Sequence, residues 1–432
     1  MNNSTQFITT RNRLPLLSLL TANAISMVGN VFATIAIPWF VLQTTGSATQ
    51  TGITGFFTIL PVVLAGFLGG TLIDRLGYRR TSIIADLASG VTVALIPLLH
   101  FTVGLQFWQL MVLVFLGALL DAPGSTARAA LIPELAALAG MPIERAASAS
   151  QVIERSSRLV GAPLAGLLIA VMGTVNVLWL DAVSFFISMA IVALLITTTY
   201  AKPKEAEQGK YFDGLVNGLR FLRRDYLILT IVVIVMITNF LDAAFGGVIL
   251  PVYVNQVFGN ALNLGLIIAA NGGGAVLGAI IFGTIGHRLP RHATFVVMFM
   301  LASLWFWAFV LYLPFPLILV AAIISGMGAG PLNPIIDAVE YERIPADMRG
   351  RVFGTITAGA WVAMPLGMLL GGILTEQFGA QLLLISLGLT YLVTTLSMAF
   401  IPVMQQINRR TDPQPSTWTP RLCVERDVAG RS

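Results

Sequence analysis

The sequence predicts an all-α polytopic membrane protein of about twelve transmembrane helices, arranged as two parallel six-helix repeats. Composition points there first: of 432 residues, 56% are hydrophobic and 10% charged, against about 25% charged in a soluble domain. The apolar residues also gather in runs of about 20, the length of helix that crosses a bilayer core. Third, the second half of the chain repeats the first. A transmembrane β-barrel would show short alternating segments, which are missing. One Cys and three His exclude a disulfide framework, a zinc cluster and haem ligation, and no metal site is expected.

In chain order the first run is 14–44. Arg11 and Arg13 precede it, and it is far too long for a signal-peptide core, so it is expected to stay in the mature chain. Runs at 50–73, 81–100, 105–122, 151–172 and 175–199 complete a first half, residues 1–199. The longest polar break, 200–226, follows. In it Phe212, Leu215, Val216, Leu219 and Leu222 recur at helical spacing beside Arg220, Arg223 and Arg224, which predicts an interfacial helix tethering the halves. Runs at 227–257, 263–286, 293–313, 315–337, 352–375 and 380–404 form the second half, 227–404. The tail, 405–432, is rich in Pro, Thr and Arg and is expected to be disordered.

Charge sets the orientation. With a cytoplasmic N-terminus every even-numbered connection is cytoplasmic, and these carry Arg75, Arg79, Arg80, Arg128, Arg145, Lys202, Lys204, Lys210, Arg288 and Arg291, while the odd-numbered ones carry no Lys or Arg. Both termini are therefore expected in the cytoplasm, with the chain in the inner membrane. The excess of basic residues is topology, and no nucleic-acid partner is implied.

A shift of 213 positions pairs Pro38 with Pro251, Gly46 with Gly259, Gly52 with Gly265, Gly70 with Gly283 and Arg75 with Arg288, without a gap. Pro123 meets Pro331 and Pro163 meets Pro365 after small changes of shift. An even number of spans separates the copies, so they share one orientation. Such a repeat places a cavity between its halves near the midplane and works by rocking one half against the other.

The loop after the second run reads Gly69-Gly70-Thr71-Leu72-Ile73-Asp74-Arg75-Leu76-Gly77-Tyr78-Arg79-Arg80. It resembles the signature of the major facilitator superfamily between the second and third helices. The resemblance implies a cytoplasmic gate: Gly70 lets helices approach, Asp74 bonds across the seam between halves, and Arg75, Arg79 and Arg80 hold the loop at the anionic membrane surface. Gly77 belongs to the same motif. The second copy is degenerate, with His287 for Asp74 and Pro290 for Gly77.

Ser26-x-x-Gly29-Asn30, Arg158-x-x-Gly161-x-Pro163, Asp181-x-x-Ser184-Phe185, Gly214-x-x-x-Gly218 and Arg349-Gly350-Arg351-Val352-Phe353-Gly354 resemble the drug:proton antiporter branch that holds macrolide-efflux-like and siderophore-exporter-like proteins. That resemblance implies a monomeric secondary transporter, not an enzyme, exporting lipophilic or amphipathic small molecules. Protons would drive it, with no cofactor, among membrane lipids. Siderophore or lysophospholipid transport is the alternative within the fold. A lipid-acting enzyme would need a catalytic constellation, yet His100, His287 and His292 fall at membrane edges, and neither Gly-x-Ser-x-Gly nor a Walker A sequence occurs.

Charges within the runs mark candidate sites. Asp242 lies about 22 Å of helix from either end of its run and is the one carboxylate the sequence places near the midplane, as the coupling or substrate group. Asn239, three positions earlier, is expected to bond it or a substrate, and many relatives of this branch carry an acid where this chain has Asn30. Glu154 and Arg158, at i and i+4 beside Arg155, read as a self-neutralising cluster near the cytoplasmic rim. Asp86 and Asp121 are expected near cytoplasmic helix ends and Asp181 near an outer one, in gate support. Gly161, Pro163 and Pro365 read as helix-packing or hinge positions. Met27, Phe32, Met111, Phe115 and Phe245 offer a lipophilic pocket lining, with packing or lipid contact as their default. Asn271-Gly272-Gly273-Gly274 lies inside an apolar helix, so close packing explains it better than nucleotide binding.

Overall fold

The structure is a computed structural model that describes residues 12–196, 218–345 and 348–408, and only the backbone of 66–75, 350 and 351. Among these residues twelve helices are long and apolar enough to cross a membrane. The first six are α1 (Leu14–Thr45), α2 (Ala48–Leu76), α3 (Tyr78–Thr102), α4 (Phe107–Leu138), α5 (Ile143–Met172) and α6 (Thr174–Leu195). The rest are α7 (Tyr226–Phe258), α8 (Ala261–Arg288), α9 (Arg291–Val310), α10 (Phe315–Arg343), α11 (Val352–Phe378) and α12 (Ala380–Phe400). Backbone hydrogen bonds satisfied within each segment are what the apolar interior of a bilayer demands.

Glycines punctuate the chain where the backbone must reverse. Gly46, at φ 66, closes α1 with its N–H on the Leu42 carbonyl, and Gly259, at φ 65, closes α7 in the same way, on Val254 and Asn255. The repeat thus preserves a turn that only glycine makes cheaply. Gly77, at φ 79, separates α2 from α3, whereas Pro290 takes its place at φ −67; a short 3₁₀ turn, Gly286–Arg288, precedes it.

Two connections expected as loops are helical. α4 runs on to Leu138 because Ala127, Leu131, Leu135 and Ala136 continue a buried stripe at helical spacing after the strongly apolar stretch ends. α5 begins at Ile143, so residues 143–150 are its first two turns. Each half packs within itself, α1 against α5 and α6 and α3 against α4 and α6 in the first, and α8 against α10 and α9 against α12 in the second. The halves meet along two seams, α2 with α11 and α5 with α8.

The face bearing the described chain ends is called the terminal face here, and its opposite the far face. At the terminal face residues 218–224 are helical, and Leu222 packs with Ile228, Val232, Ile344, Val352 and Ile356 of the second half. The expected tether helix is therefore docked, with Leu219 exposed; Phe212, Leu215, Val216 and the three linker lysines lie outside the described residues. The chain after 404 departs from expectation. Pro402–Asn408 forms 3₁₀ turns with Met404 and Ile407 buried, held by Asn408 Oδ1 on the His292 N–H at 2.9 Å and Gln406 Oε1 on Arg343 at 2.9 Å. Residues 409–432 lie outside the described residues.

Candidate functional site

A cavity of about 650 Å³ lies between the halves, the size of a small-molecule site. Its wall is largely apolar and carries three acids, Asp121, Asp181 and Asp242, two amides, Asn30 and Asn239, and the guanidinium of Arg158. Arg158, midway along α5, has a side chain 75% exposed although it is part of the wall, so the cavity is open to solvent. Toward the far face Pro38, Pro251 and Leu264 lie beneath the seams.

Close approach of backbone builds those seams. A Cβ on Gly52 of α2 would lie 2.6 Å from the Met368 carbonyl oxygen of α11, and one on Gly166 of α5 would lie 2.6 Å from the Ala261 carbonyl oxygen of α8. Gly265, the repeat partner of Gly52, packs as tightly on the Ala162 carbonyl of α5. Between apolar helices in lipid, dispersion at such short range replaces the hydrophobic drive available in water. At the rim of the far face Glu376 of α11 accepts hydrogen bonds from Ser47 Oγ and, at 2.7 Å, from the Thr49 N–H. A carboxylate from the second half thereby caps the N-terminus of α2 in the first, where the helix dipole favours it.

In the second half, Asp242 stands midway along α7, exposed to the cavity. Three residues on, α7 widens into a π turn at Phe245–Ile249, placing Gly246 and Gly247 on the wall, Gly247 against Met368. Such turns concentrate at functional sites because they re-aim side chains within an unbroken helix. Asn239 is on the wall too, but its Nδ2 donates to the Ala360 carbonyl of α11 at 2.9 Å, so the expected bond to Asp242 is replaced by a tie between helices. In α11 Trp361 ends one helical segment and Met364 begins the next, just before Pro365, and the Ala360 carbonyl beside that break accepts from the amide. Pro365 therefore marks a helix break, while α5 passes through Pro163 unbroken and Gly161 packs on Val31 of α1.

The first half holds an ionic knot that sequence reasoning placed wrongly. Arg128, counted as a loop cation, is inside α4 and 2% exposed. Its Nη1 pairs with Asp86 Oδ1 of α3 at 2.5 Å, its Nε donates to Asn23 Oδ1 of α1 at 3.2 Å, and its Nη2 lies 3.6 Å from Asp121 Oδ1. Ser188 of α6 donates to Asp86 Oδ2 at 2.8 Å, and Asn30 Nδ2 to Asp121 Oδ2 at 3.1 Å. One arginine thus ties four helices. Asp121 and Arg128 are seven residues apart, hence on one helix face, and that spacing was the available signal. Asn30 is no acid substitute but the clamp on Asp121.

Asp181 also corrects the expectation. Seven residues into α6, it packs against Gly29, the middle of the 32-residue α1, so it lies at mid-depth and Asp242 is not the sole deep acid. The Glu154–Arg158 pair forms as expected, at 3.1 Å, with Arg155 exposed beside it. Of the gate motif, Arg79 donates to the Ala193 carbonyl at the end of α6 at 2.7 Å, which satisfies a helix C-terminus within its own half. Arg80 is exposed. The side chains of Gly70, Asp74 and Arg75 lie outside the described residues.

The aromatic and methionine lining is a different set from the expected one. Phe245 is buried among Trp305, Phe306 and Phe309, and the cavity takes Phe185, Met364 and Met368 instead. Gly274 abuts the Ile323 carbonyl and Asn271 donates to the Ala322 carbonyl at 3.3 Å, so these two serve packing of α8 on α10, while Gly273 meets Leu159 of α5. Among the described residues no group of His, Cys, Asp and Glu is placed to hold a metal ion.

Comparison with known proteins agrees with this architecture. The multidrug efflux pump Tap of Mycobacterium tuberculosis is 32% identical over 401 residues, 92% of this chain and 96% of its own; that of Mycolicibacterium fortuitum is 31% identical over 94% of this chain and 100% of its own. Macrolide efflux protein A of Streptococcus pyogenes is 20% identical over 85% of this chain and 91% of its own. Among solved structures, the nucleoside transporter NupG matches at a TM-score of 0.74 and 12% identity, over 89% of this chain and 98% of that one, which speaks for the fold alone. The family of transmembrane secretion effectors matches residues 13–432. With twelve spans in two parallel halves around a shared cavity, the chain belongs to that family, within the major facilitator superfamily.

Proposed function

We propose that the chain is a secondary active exporter of amphipathic drugs, driven by inward proton movement through alternating access, with both termini in the cytoplasm. The observation that carries the proposal is the cavity, closed on the far face by the glycine seams and open at Arg158, with the Asp242 carboxyl exposed on its wall. An apolar wall with a few polar groups suits molecules that are greasy with one polar end. The names of the relatives, a multidrug pump and a macrolide exporter, support the same substrate class.

Orientation follows from the described basic residues at the terminal face, Arg79, Arg80, Arg145, Arg223, Arg224, Arg288 and Arg291, which favour the cytoplasmic side. The open cavity is then the drug-loading state. Rocking would part the Gly52 and Gly265 seams and release the Glu376 cap while the terminal face closes. Asp242 would gain a proton from outside and lose it inside, competing with the drug for the cavity. A proton falling through 100 mV supplies about 2.3 kcal/mol, enough for roughly fortyfold accumulation of a neutral solute. The test is a drug-accumulation panel in cells stripped of their own pumps. Expression should lower the level of several amphipathic drugs, and an uncoupler should restore it; lowering that persists with the gradient collapsed would overturn the coupling.

A further inference from the structure

The two halves do not supply their mid-depth acids in the same way. In the register of the repeat, α1 and α7 pair Leu14 with Leu227, Phe32 with Phe245 and Pro38 with Pro251. Asp242 then falls opposite Gly29, and the extra residue absorbed by the π turn at Phe245–Ile249 widens that to Gly29–Asn30. So α1 has no acid where α7 has one.

The vacancy is filled from a neighbouring helix. Asp181 of α6 comes so close that a Cβ on Gly29 would lie 2.6 Å from its Oδ1 and would collide with Ser184 Oγ. The missing side chain of Gly29 makes room for a carboxyl at the depth of Asp242, on the wall of the same cavity.

Asp181 is fully buried, and neither of its carboxyl oxygens has a hydrogen-bond partner. The other acids of this interior are engaged: Asp86 by Arg128 and Ser188, Asp121 by Asn30 and, more loosely, by Arg128. Of the groups around Asp181, Asp121 on α4 and Asn30 on α1 share the cavity wall with it, and Ser184, one turn on along α6, donates to its main-chain carbonyl. On α5 the charges are Glu154, Arg155 and Arg158; Arg158, on the same cavity wall, is paired with Glu154. Three carboxyls thus share one buried guanidinium already committed to two of them. A carboxyl with no counter-ion, hydrogen bond or solvent suits the neutral acid, and it can give up its proton only when a change of conformation admits water.

We infer that Asp181 is a second proton-carrying residue, so that each cycle moves two protons, one through each half of the molecule. This rests on the antiport reading above. The proton passes from water on the far side to a carboxylate oxygen of Asp181 and from there to water on the terminal side; no other bond changes.

Two protons inward against one monovalent cation outward move one net positive charge, whereas a single proton moves none. In proteoliposomes with ethidium as the probe, and a potential set by potassium and valinomycin at equal pH, the wild type should shift the steady-state ethidium ratio about tenfold for roughly 59 mV. Asp181→Asn should still follow a pH gradient but ignore the potential. Counterflow of ethidium, which needs no gradient, reports the fold; should Asp181→Asn lose it, Asp181→Ser, smaller and equally unable to carry a proton, provides the comparison. A potential response retained in the variant overturns the inference. So does a wild type that follows pH alone, which leaves the antiport reading standing, while a wild type indifferent to both gradients overturns the two together.

Discussion

At the scale of single residues, Asp242 and Arg128 are intramembrane charges of opposite character. Asp242 has no acid or base bonded to it among the described residues and looks into the cavity, so its protonation can change with access. Asp242→Asn should abolish uphill, proton-driven drug export and keep some downhill exchange, because the amide mimics the neutral acid but cannot release a proton. Asp242→Glu should keep part of the activity with a displaced pH optimum. Uphill export by Asp242→Asn at the wild-type rate, measured in vesicles, would place coupling elsewhere. Arg128 is the opposite case: its charge is spent on Asp86, Asn23 and Asp121. Arg128→Ala leaves the buried Asp86 carboxyl without its counter-ion and should cost about 3–5 kcal/mol, read as lost folded protein in detergent. Asp86→Asn with Arg128→Met should recover part of that loss, since removing both charges is gentler than removing one.

At the scale of helices, the seams decide which face is open. Gly52 meets backbone of α11 and not a flexible side chain, so Gly52→Val cannot be absorbed and should hold the far face apart. A Cys placed at Thr58, on the cavity wall, should then react faster from the far side than it does in the otherwise unchanged chain; an unaltered rate would show that the seam does not govern access. The gate motif at the other end of α2 makes a complementary case. Asp74→Asn should slow turnover while the protein still folds and binds drug, whereas His287→Asp should act mildly, because Pro290 has already replaced the glycine turn that shapes the first copy.

At the scale of the whole molecule, the proposed orientation joins the charge asymmetry to the open cavity. Val103 is 73% exposed between α3 and α4 on the far face, and Arg223 is exposed on the terminal face. In a chain whose Cys423 is replaced by Ser, Val103→Cys should react with an impermeant maleimide added to intact cells, and Arg223→Cys only after the cells are opened. The reverse pattern would invert the topology and with it the direction of transport.

The sequence by itself determined the number of spans, their order and the parallel repeat that pairs Gly46 with Gly259, since these follow from local composition and from a shift of 213 positions. It also marked Asp242, because a lone acid in an apolar run stands out without any partner. The tertiary structure alone decided which charges meet. Arg128 looked like a loop cation because hydropathy dips around it, but the helix continues, and its partners Asn23 and Asp86 lie 105 and 42 positions away in the chain. Asp181 looks peripheral when its distance from the end of α6 is counted along one helix; its contact with Gly29 at the middle of α1 sets its depth, and the absent side chain of Gly29 admits its carboxyl. Contacts of that kind depend on how helices pack, and packing between apolar helices turns on small residues whose roles are invisible until their neighbours are in place.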